Sequence, residues 1–294
     1  MIIHNGKHTV YDALIRDGKL FLVSTYYSEV EPKMDIYVNG ELTQEVGYKS
    51  NEPMKYYWCK APDLLDITVR IDSNEYHITA EKVDESRGKM AVATLFQGDY
   101  HKIETFCKWY RSQGVEKFFL YYNGAILPSD IYKSDDIEYR CWNYPYWNYG
   151  NLIHNAQMTF LTSITLRNLQ RYDWFGLMDL DELIHHPSHT LIDYFSSVPS
   201  TSQAVIVKNH WAVKVDGGFK YTLVPTPTTI GRTKCFYRGT YPDLPAIHVP
   251  KKWINNIWST DMKMIHYVDE HDPKSRWNER VGQIIEPTQF LPWP

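Results

Sequence analysis

Long apolar runs are missing from this sequence: no stretch approaches the ~18 uninterrupted apolar residues of a membrane-spanning helix. The opening "MIIHNGKHTVYD" lacks the basic-then-apolar pattern of a secretory signal. Cysteine is scarce. Cys59, Cys107, Cys141 and Cys235 show no CxxC spacing, which argues against a zinc site or a disulfide scaffold and fits a reducing compartment. These absences make a soluble chain, cytoplasmic or facing the cytosol, the expectation. A basic excess is missing too: the formal net charge is −4, so a nucleic-acid surface is not expected. Neither an internal repeat nor a low-complexity segment occurs, and nothing in the sequence speaks to oligomeric state.

Aromatic residues, by contrast, are plentiful, with 23 Tyr, 10 Trp and 11 Phe. Such rings stack on bases and sugars, but they also fill cores. The 294 residues suffice for one large domain or two of medium size.

Two regions differ in pattern. Residues 1–86 carry short β-rich runs, "KLFLVSTYY", "KMDIYVNGELTQEV", "KYYWCKA" and "DITVRIDSNEYHITAEKV", with turn signals at "NG" (39–40) and "DSNE" (72–75). They predict an amino-terminal, all-β, sandwich-like domain. "ESRGK" (85–89) reads as the linker to a second domain, residues 87–294. There "MAVATLF" (90–96) is the continuous apolar run of a buried parallel strand. "HKIETFCKWYRSQG" spaces Ile103, Phe106, Cys107 and Tyr110 as a helix, with Gly114 as the stop. "VEKFFLYYNG" (115–124) completes a right-handed βαβ unit. "DDIEYRCW" (135–142) is a third strand, and a helix from about Leu152 to Gln170 leads into "DWFGLMDLDELIHHP". The expectation is an α/β domain with a mostly parallel central sheet.

That last segment sets the functional question, because an apolar strand ends in Asp179, Asp181 and Glu182. Ligands of open α/β sheets bind beyond the carboxyl ends of the strands. Burying carboxylates without compensation is costly, so a cation is a natural partner. If the segment is extended, Asp179 and Asp181 point the same way and can offer oxygens to Mg²⁺ or Mn²⁺, with positions left for phosphate. The plainer alternative is that these acids cap a helix starting near Glu182. His185, His186 and His189 are not read as ligands, since Pro187 interrupts the helix that i, i+4 ligation requires.

"ATLFQGDYHKIETFCKWYRSQGVEKFFLYYNG" and "AQMTF…LRNLQRYDWFGLMDLDELIHHP" together resemble glycosyltransferase family 92 and related GT-A glycosyltransferases. Trp174, Asp179, Asp181, Glu182 and Pro187 match the family's "W…D.DEf..P", with Leu183 in place of the usual Phe. "GRTKCFYRG", "AIH" and "MIHYVDEHDPKSRWNER" look like its later motifs, so the resemblance spans about residues 90–285. It implies a GT-A fold and a metal-dependent, inverting transfer of a sugar from a nucleotide diphosphate to a glycan hydroxyl, with UDP-galactose as the donor that family members suggest.

On that resemblance, Asp179 and Asp181 hold Mn²⁺ or Mg²⁺, with His248 completing the shell and His266 as second choice. Arg232, Lys234, Lys251, Lys252 and Arg276 are candidate diphosphate partners. Thr94, Leu95, Tyr122, Asn123 and Gln157, with the aromatic loop "WNYPYWNY" (142–149), are placed around the nucleoside. The base that inversion needs is sought among Asp243, Asp261 and Asp216, with Asp243 favoured for its nearness to His248. Two rivals remain: a haloacid-dehalogenase-like phosphotransferase, whose strand also ends in Asp-x-Asp, and a non-catalytic carbohydrate-binding protein.

Overall fold

The computed structural model describes residues 3–4, 9–25, 35–48, 54–146, 155–215, 220–225, 233–246, 248–250, 252 and 254–267. Asp216, Arg232, Lys251 and Arg276, the 147–149 part of the aromatic loop and the motif beyond Tyr267 lie outside them.

The amino-terminal part starts with a two-stranded ribbon, β1 (Ile3–His4) and β2 (Thr9–Val10). β3 (Asp12–Arg16), β4 (Lys19–Ser24), β5 (Ile36–Val38), β6 (Glu41–Leu42), β7 (Gln44–Tyr48), β8 (Met54–Lys60), β9 (Asp66–Ile71), β10 (Asn74–Thr79) and β11 (Glu81–Lys82) follow. They form a five-stranded sheet, β11-β3-β4-β8-β7, and a four-stranded sheet, β10-β9-β5-β6. Alternating residues of both meet in one core, with Ala13, Leu20, Leu22, Tyr57 and Cys59 against Ile36, Val38, Ile67, Val69 and Ile71. The Asn39-Gly40 turn between β5 and β6 has positive φ at both residues, the conformation an Asn-Gly hairpin uses.

The second part contains β12 (Gly88–Phe96), α1 (Ile103–Ser112), β13 (Lys117–Tyr122), β14 (Ile137–Cys141), α2 (Asn155–Asn168) and β15 (Tyr172–Leu177). β16 (Glu182–His185), α3 (Leu191–Ser197), β17 (Ala204–Val215), β18 (Lys220–Pro225), β19 (Lys234–Arg238) and β20 (Asn256–Tyr267) complete it. The sheet order is β14-β13-β12-β15-β19-β17-β20-β16, with β18 paired to β17. The first four strands are parallel, as the sequence predicted. The rest are mixed: β19 runs antiparallel to β15 and β17, and β16 antiparallel to β20. The sheet is therefore mixed rather than mostly parallel; among the later strands only β17 and β20 pair in parallel, with β18 and β19 between them in the chain.

β12 is the first strand of this sheet but lies inside it. The chain moves outward to β13 and β14, then crosses back through α2 to β15 on the other flank. That makes the β12/β15 boundary the switch point, where a crevice opens at the carboxyl ends. α1 covers one face, where Phe106 and Tyr110 meet Val92, Leu120 and Trp174. On the other, α2 meets Ala93, Phe119 and Leu177.

α2 is buried on every side, Thr159, Thr162, Ser163 and Arg167 included. The reason is that its outer side lies against β4 and β8. Leu14, Phe21, Val23 and Met54 of the five-stranded sheet share a core with α2 and the larger sheet. Among the described residues, no helix is long and apolar enough to cross a membrane.

Candidate active site

β15 carries Trp174, Phe175 and Leu177 into the core, with Trp174 packed between the Phe195 ring at 4.6 Å and the Arg238 guanidinium at 4.3 Å. The strand ends at Leu177 and the chain reverses within four residues. Glu182 N donates to Asp179 O at 3.1 Å, while the Glu182 carboxylate folds back to accept from Asp179 N at 2.8 Å. Glu182 then starts β16, not a helix. This turn also overrides the alternation expected of an extended Asp179-Leu180-Asp181, since successive residues of a turn do not share the pleat of a strand. The two aspartates meet different partners.

Asp179 Oδ2 accepts from Lys234 Nζ at 2.7 Å, and the same ammonium lies 2.9 Å from Glu182 Oε2. Asp181 Oδ2 is 3.2 Å from His266 Nε2, and His266 Nδ1 is 3.6 Å from Glu182 Oε1. The pairing of β16 with β20, Glu182 opposite His266, brings that histidine in. Tyr110 of α1 fixes the base of the turn, donating to Glu182 O at 2.9 Å and accepting from Ile184 N at 3.2 Å.

The electrostatics follow from this packing. Burial and the nearby Asp179 charge push the Glu182 carboxyl up to about 7, against the pull of Lys234 and His266. Burial alone would raise Asp181, but the His266 charge and hydrogen bond hold it below the usual carboxylate value. Burial would lower His266 and Lys234. Asp181 outweighs it for the imidazole, and Asp179 with Glu182 for the ammonium, so both are raised. Lys102, which sequence reasoning missed, adds a third cation. It is buried, pairs with Asp99 at 3.1 Å and stabilises the Asp181 charge. Its signal was positional: it follows the loop at the carboxyl end of β12, where the switch point opens.

A small pocket beside this cluster is lined by Ala93, Leu95, Gln157, Phe160, Leu161, Leu177, Met178, Asp179 and Lys234. It brings together four of the sequence-predicted ligand residues: Leu95, Gln157, Asp179 and Lys234. Tyr146 donates to Gln157 Oε1 at 3.2 Å. Thr94 is buried on β12, and its hydroxyl has no hydrogen-bond partner among the described residues. Tyr122 leans on Phe96, with ring centroids 5.4 Å apart. Asn123 is committed to the aromatic loop, its Nδ2 donating to Trp142 O and Tyr144 O, both at 2.8 Å.

Other candidates sit elsewhere. His248 is tied to the start of β19: its Nδ1 is 3.0 Å from Thr233 O, and its carbonyl accepts from Thr233 and Cys235. The histidine beside the carboxylates is His266. The buried Asp243 carboxylate lies 3.3 Å from Lys252 Nζ and within the electrostatic reach of Tyr56 on β8. Asp261 is exposed, five residues before His266 on β20, about 16 Å at the usual strand rise. Asp261 is not brought to the Asp179–Glu182 turn. His185 stacks near Trp109, and His186 Nδ1 accepts from the backbone of Ser188 and His189. Among the described residues, no three of His, Cys, Asp and Glu form a ready-made metal-binding group.

The family model described as glycosyltransferase family 92 matches residues 89–290, more than half of the chain. No curated protein sequence matches it. The matched span holds β12 from Lys89 onward, the acidic turn, Lys234 and His266, and it sets aside the phosphotransferase and non-catalytic alternatives in favour of a sugar transferase acting on a donor and an acceptor. The chain belongs to glycosyltransferase family 92.

Proposed function

We propose that this glycosyltransferase moves a hexose, galactose on the family resemblance, from a UDP-sugar to a glycan hydroxyl, with inversion and with help from Mn²⁺ or Mg²⁺. The observation that carries this reading is one junction: the switch-point pocket of Leu95 and Gln157 opens directly onto Asp179 and Lys234. A nucleotide diphosphate needs that neighbourhood, with an apolar and amide-lined side for the nucleoside and compensated charge for the phosphates. On this reading the nucleoside lies over Thr94, Leu95, Tyr122 and Gln157, and Asn123 acts by shaping the aromatic loop. The same reading takes the fold to be of the GT-A type, as the family resemblance implies.

The residue types at the turn suit a hard divalent ion, which would have to gather them, since among the described residues they are not assembled as one site. Asp181 Oδ2 and His266 Nε2 lie 3.2 Å apart as a hydrogen-bonded pair that an ion would have to open, and Asp179 Oδ1 has no partner among the described residues. Asp179, Asp181 and His266 would hold the ion, with open positions for phosphate oxygens. His248 does not join this set. When bound, the ion adds positive charge where the leaving diphosphate develops negative charge. Lys234 and Lys102 supply the rest from the chain itself.

Inversion requires one base at the acceptor hydroxyl and forms no covalent glycosyl-enzyme. Of the three aspartates weighed for that role, Asp216 lies outside the described residues. Asp261 sits apart from the acidic turn and Asp243 pairs with Lys252, so asparagine substitutions at all three decide the assignment. The reading includes a domain boundary near residue 86, with the amino-terminal sheets as a supporting sandwich. It also includes a cytosol-facing setting. Incubating the protein with UDP-hexoses and Mn²⁺ tests it: release of UDP with an inverted anomeric centre by NMR is expected. Retention would remove the inverting mechanism, and no UDP release from any UDP-sugar would remove the donor assignment.

A further inference from the structure

Asp179 faces solvent, with its side chain 46% exposed, yet it already has a cation. Lys234 Nζ is 2.7 Å from Asp179 Oδ2 and 2.9 Å from Glu182 Oε2, and the lysine side chain is only 3% exposed. An ammonium buried to that extent persists only while its charge is matched. A divalent ion arriving alone at Asp179 would meet this ammonium at short range, where like charges repel strongly because little water screens them.

We infer that Lys234 is a placeholder cation: in the nucleotide-free protein it occupies Asp179, so a divalent ion alone binds weakly, and it turns to the donor's diphosphate when ion and nucleotide arrive together. The inference rests on the cation reading given above and adds how uptake of the ion is controlled. Lys234 lines the same pocket as Asp179, Leu95 and Gln157, so its ammonium can leave Asp179 without leaving the site. Its flexible four-carbon stem allows that movement. Glu182 Oε2 remains as the anchor, and the diphosphate replaces the negative charge that Lys234 gives up. Ion and nucleotide are then taken up as a pair, and the acidic turn does not hold a free divalent ion between turnovers.

Calorimetric titration of Mn²⁺ into the full chain and into Lys234→Met, without nucleotide and then with UDP, tests this. The variant should bind Mn²⁺ alone at least about tenfold more tightly than the native chain, since a close positive charge is removed. The further gain from UDP should be smaller in the variant. Equal or weaker Mn²⁺ binding by Lys234→Met overturns the inference and leaves the cation reading standing. If neither protein binds Mn²⁺ even with UDP, the cation reading falls, and the placeholder with it. Should Lys234→Met fail to fold, the ammonium resonances of ¹⁵N-lysine-labelled native protein give a second readout, assigned with Lys234→Arg. Mg²⁺ with UDP should shift the Lys234 signal and Mg²⁺ alone should not. No shift with both present overturns the inference.

Discussion

Arg167 of α2 grips both carboxylate oxygens of Asp12 on β3, Nε to Oδ2 at 2.8 Å and Nη2 to Oδ1 at 2.7 Å, across 155 residues of sequence. Ser163 Oγ donates to the same carboxylate at 2.5 Å, and Glu81 adds a second acid, 3.0 Å from Arg167 and 2.7 Å from Arg140 of β14. The amino-terminal sheets are thus joined to the catalytic part by buried charge as well as by the apolar core around α2.

Breaking that grip has a defined cost. Asp12→Ala leaves Arg167 buried without its main partner and should destabilise the protein by about 3–5 kcal/mol, as loss of one member of a buried ion pair does. Urea denaturation measures it; a change below about 1 kcal/mol would mean that water reaches the pair. Deleting residues 1–86 should be worse, because it uncovers the outer side of α2, and the expected product is an aggregating fragment.

The same pair makes acid stability predictable. Burial opposes ionisation of Asp12, but the charge and hydrogen bonds of Arg167, with Ser163, hold its carboxyl below the ordinary value of 3.8. A depressed carboxyl contributes stability that is full above the unfolded value and lost as pH falls through the folded one. The native chain should therefore lose stability as pH drops below about 4, and Asp12→Asn, already without the charge, should lose less over the same interval. Melting temperatures of both proteins from pH 6 to pH 2.5 check this. Parallel curves would contradict it.

Asn123 offers a test of the aromatic loop. Its amide satisfies two main-chain carbonyls, Trp142 O and Tyr144 O, while Tyr144 OH reaches Tyr11 O at 2.6 Å. Asn123→Ala removes both donors and should cost about 1–3 kcal/mol, the usual penalty for unpaired buried acceptors. It should also weaken UDP binding severalfold by releasing Tyr146 from Gln157. Calorimetry on the folded variant gives the answer, and unchanged UDP affinity would detach the loop from the donor site.

Legibility in the sequence divides along physical lines. "MAVATLF" and "KFFLYY" are parallel strands buried on both faces, so their continuous apolar runs name them without tertiary information. α2 was also visible as a helix, but the burial of its polar Thr159, Thr162, Ser163 and Arg167 depends on β4 and β8 lying against it, which no spacing encodes. The acidic turn could be found but not oriented. Whether Asp179 and Asp181 share a direction depends on the Glu182 side chain folding back onto Asp179 N, which no spacing encodes. His266 was ranked behind His248 for a similar reason: only the register of β20 against β16, two strands some 80 residues apart in sequence, puts His266 beside Asp181. The later strands mix antiparallel pairs with the parallel β17–β20 pair, so the parallel pattern of the first half misled about the second.

The most direct test of the donor site is calorimetry of UDP binding to the native chain and to Asp181→Asn, with and without Mn²⁺. The native chain should bind UDP at least about tenfold more tightly with Mn²⁺, and Asp181→Asn should lose most of that gain while keeping its fold, since the side chain keeps its volume. UDP affinity that is the same with and without Mn²⁺, or untouched by Asp181→Asn, would contradict a cation-assisted diphosphate site at the end of β15.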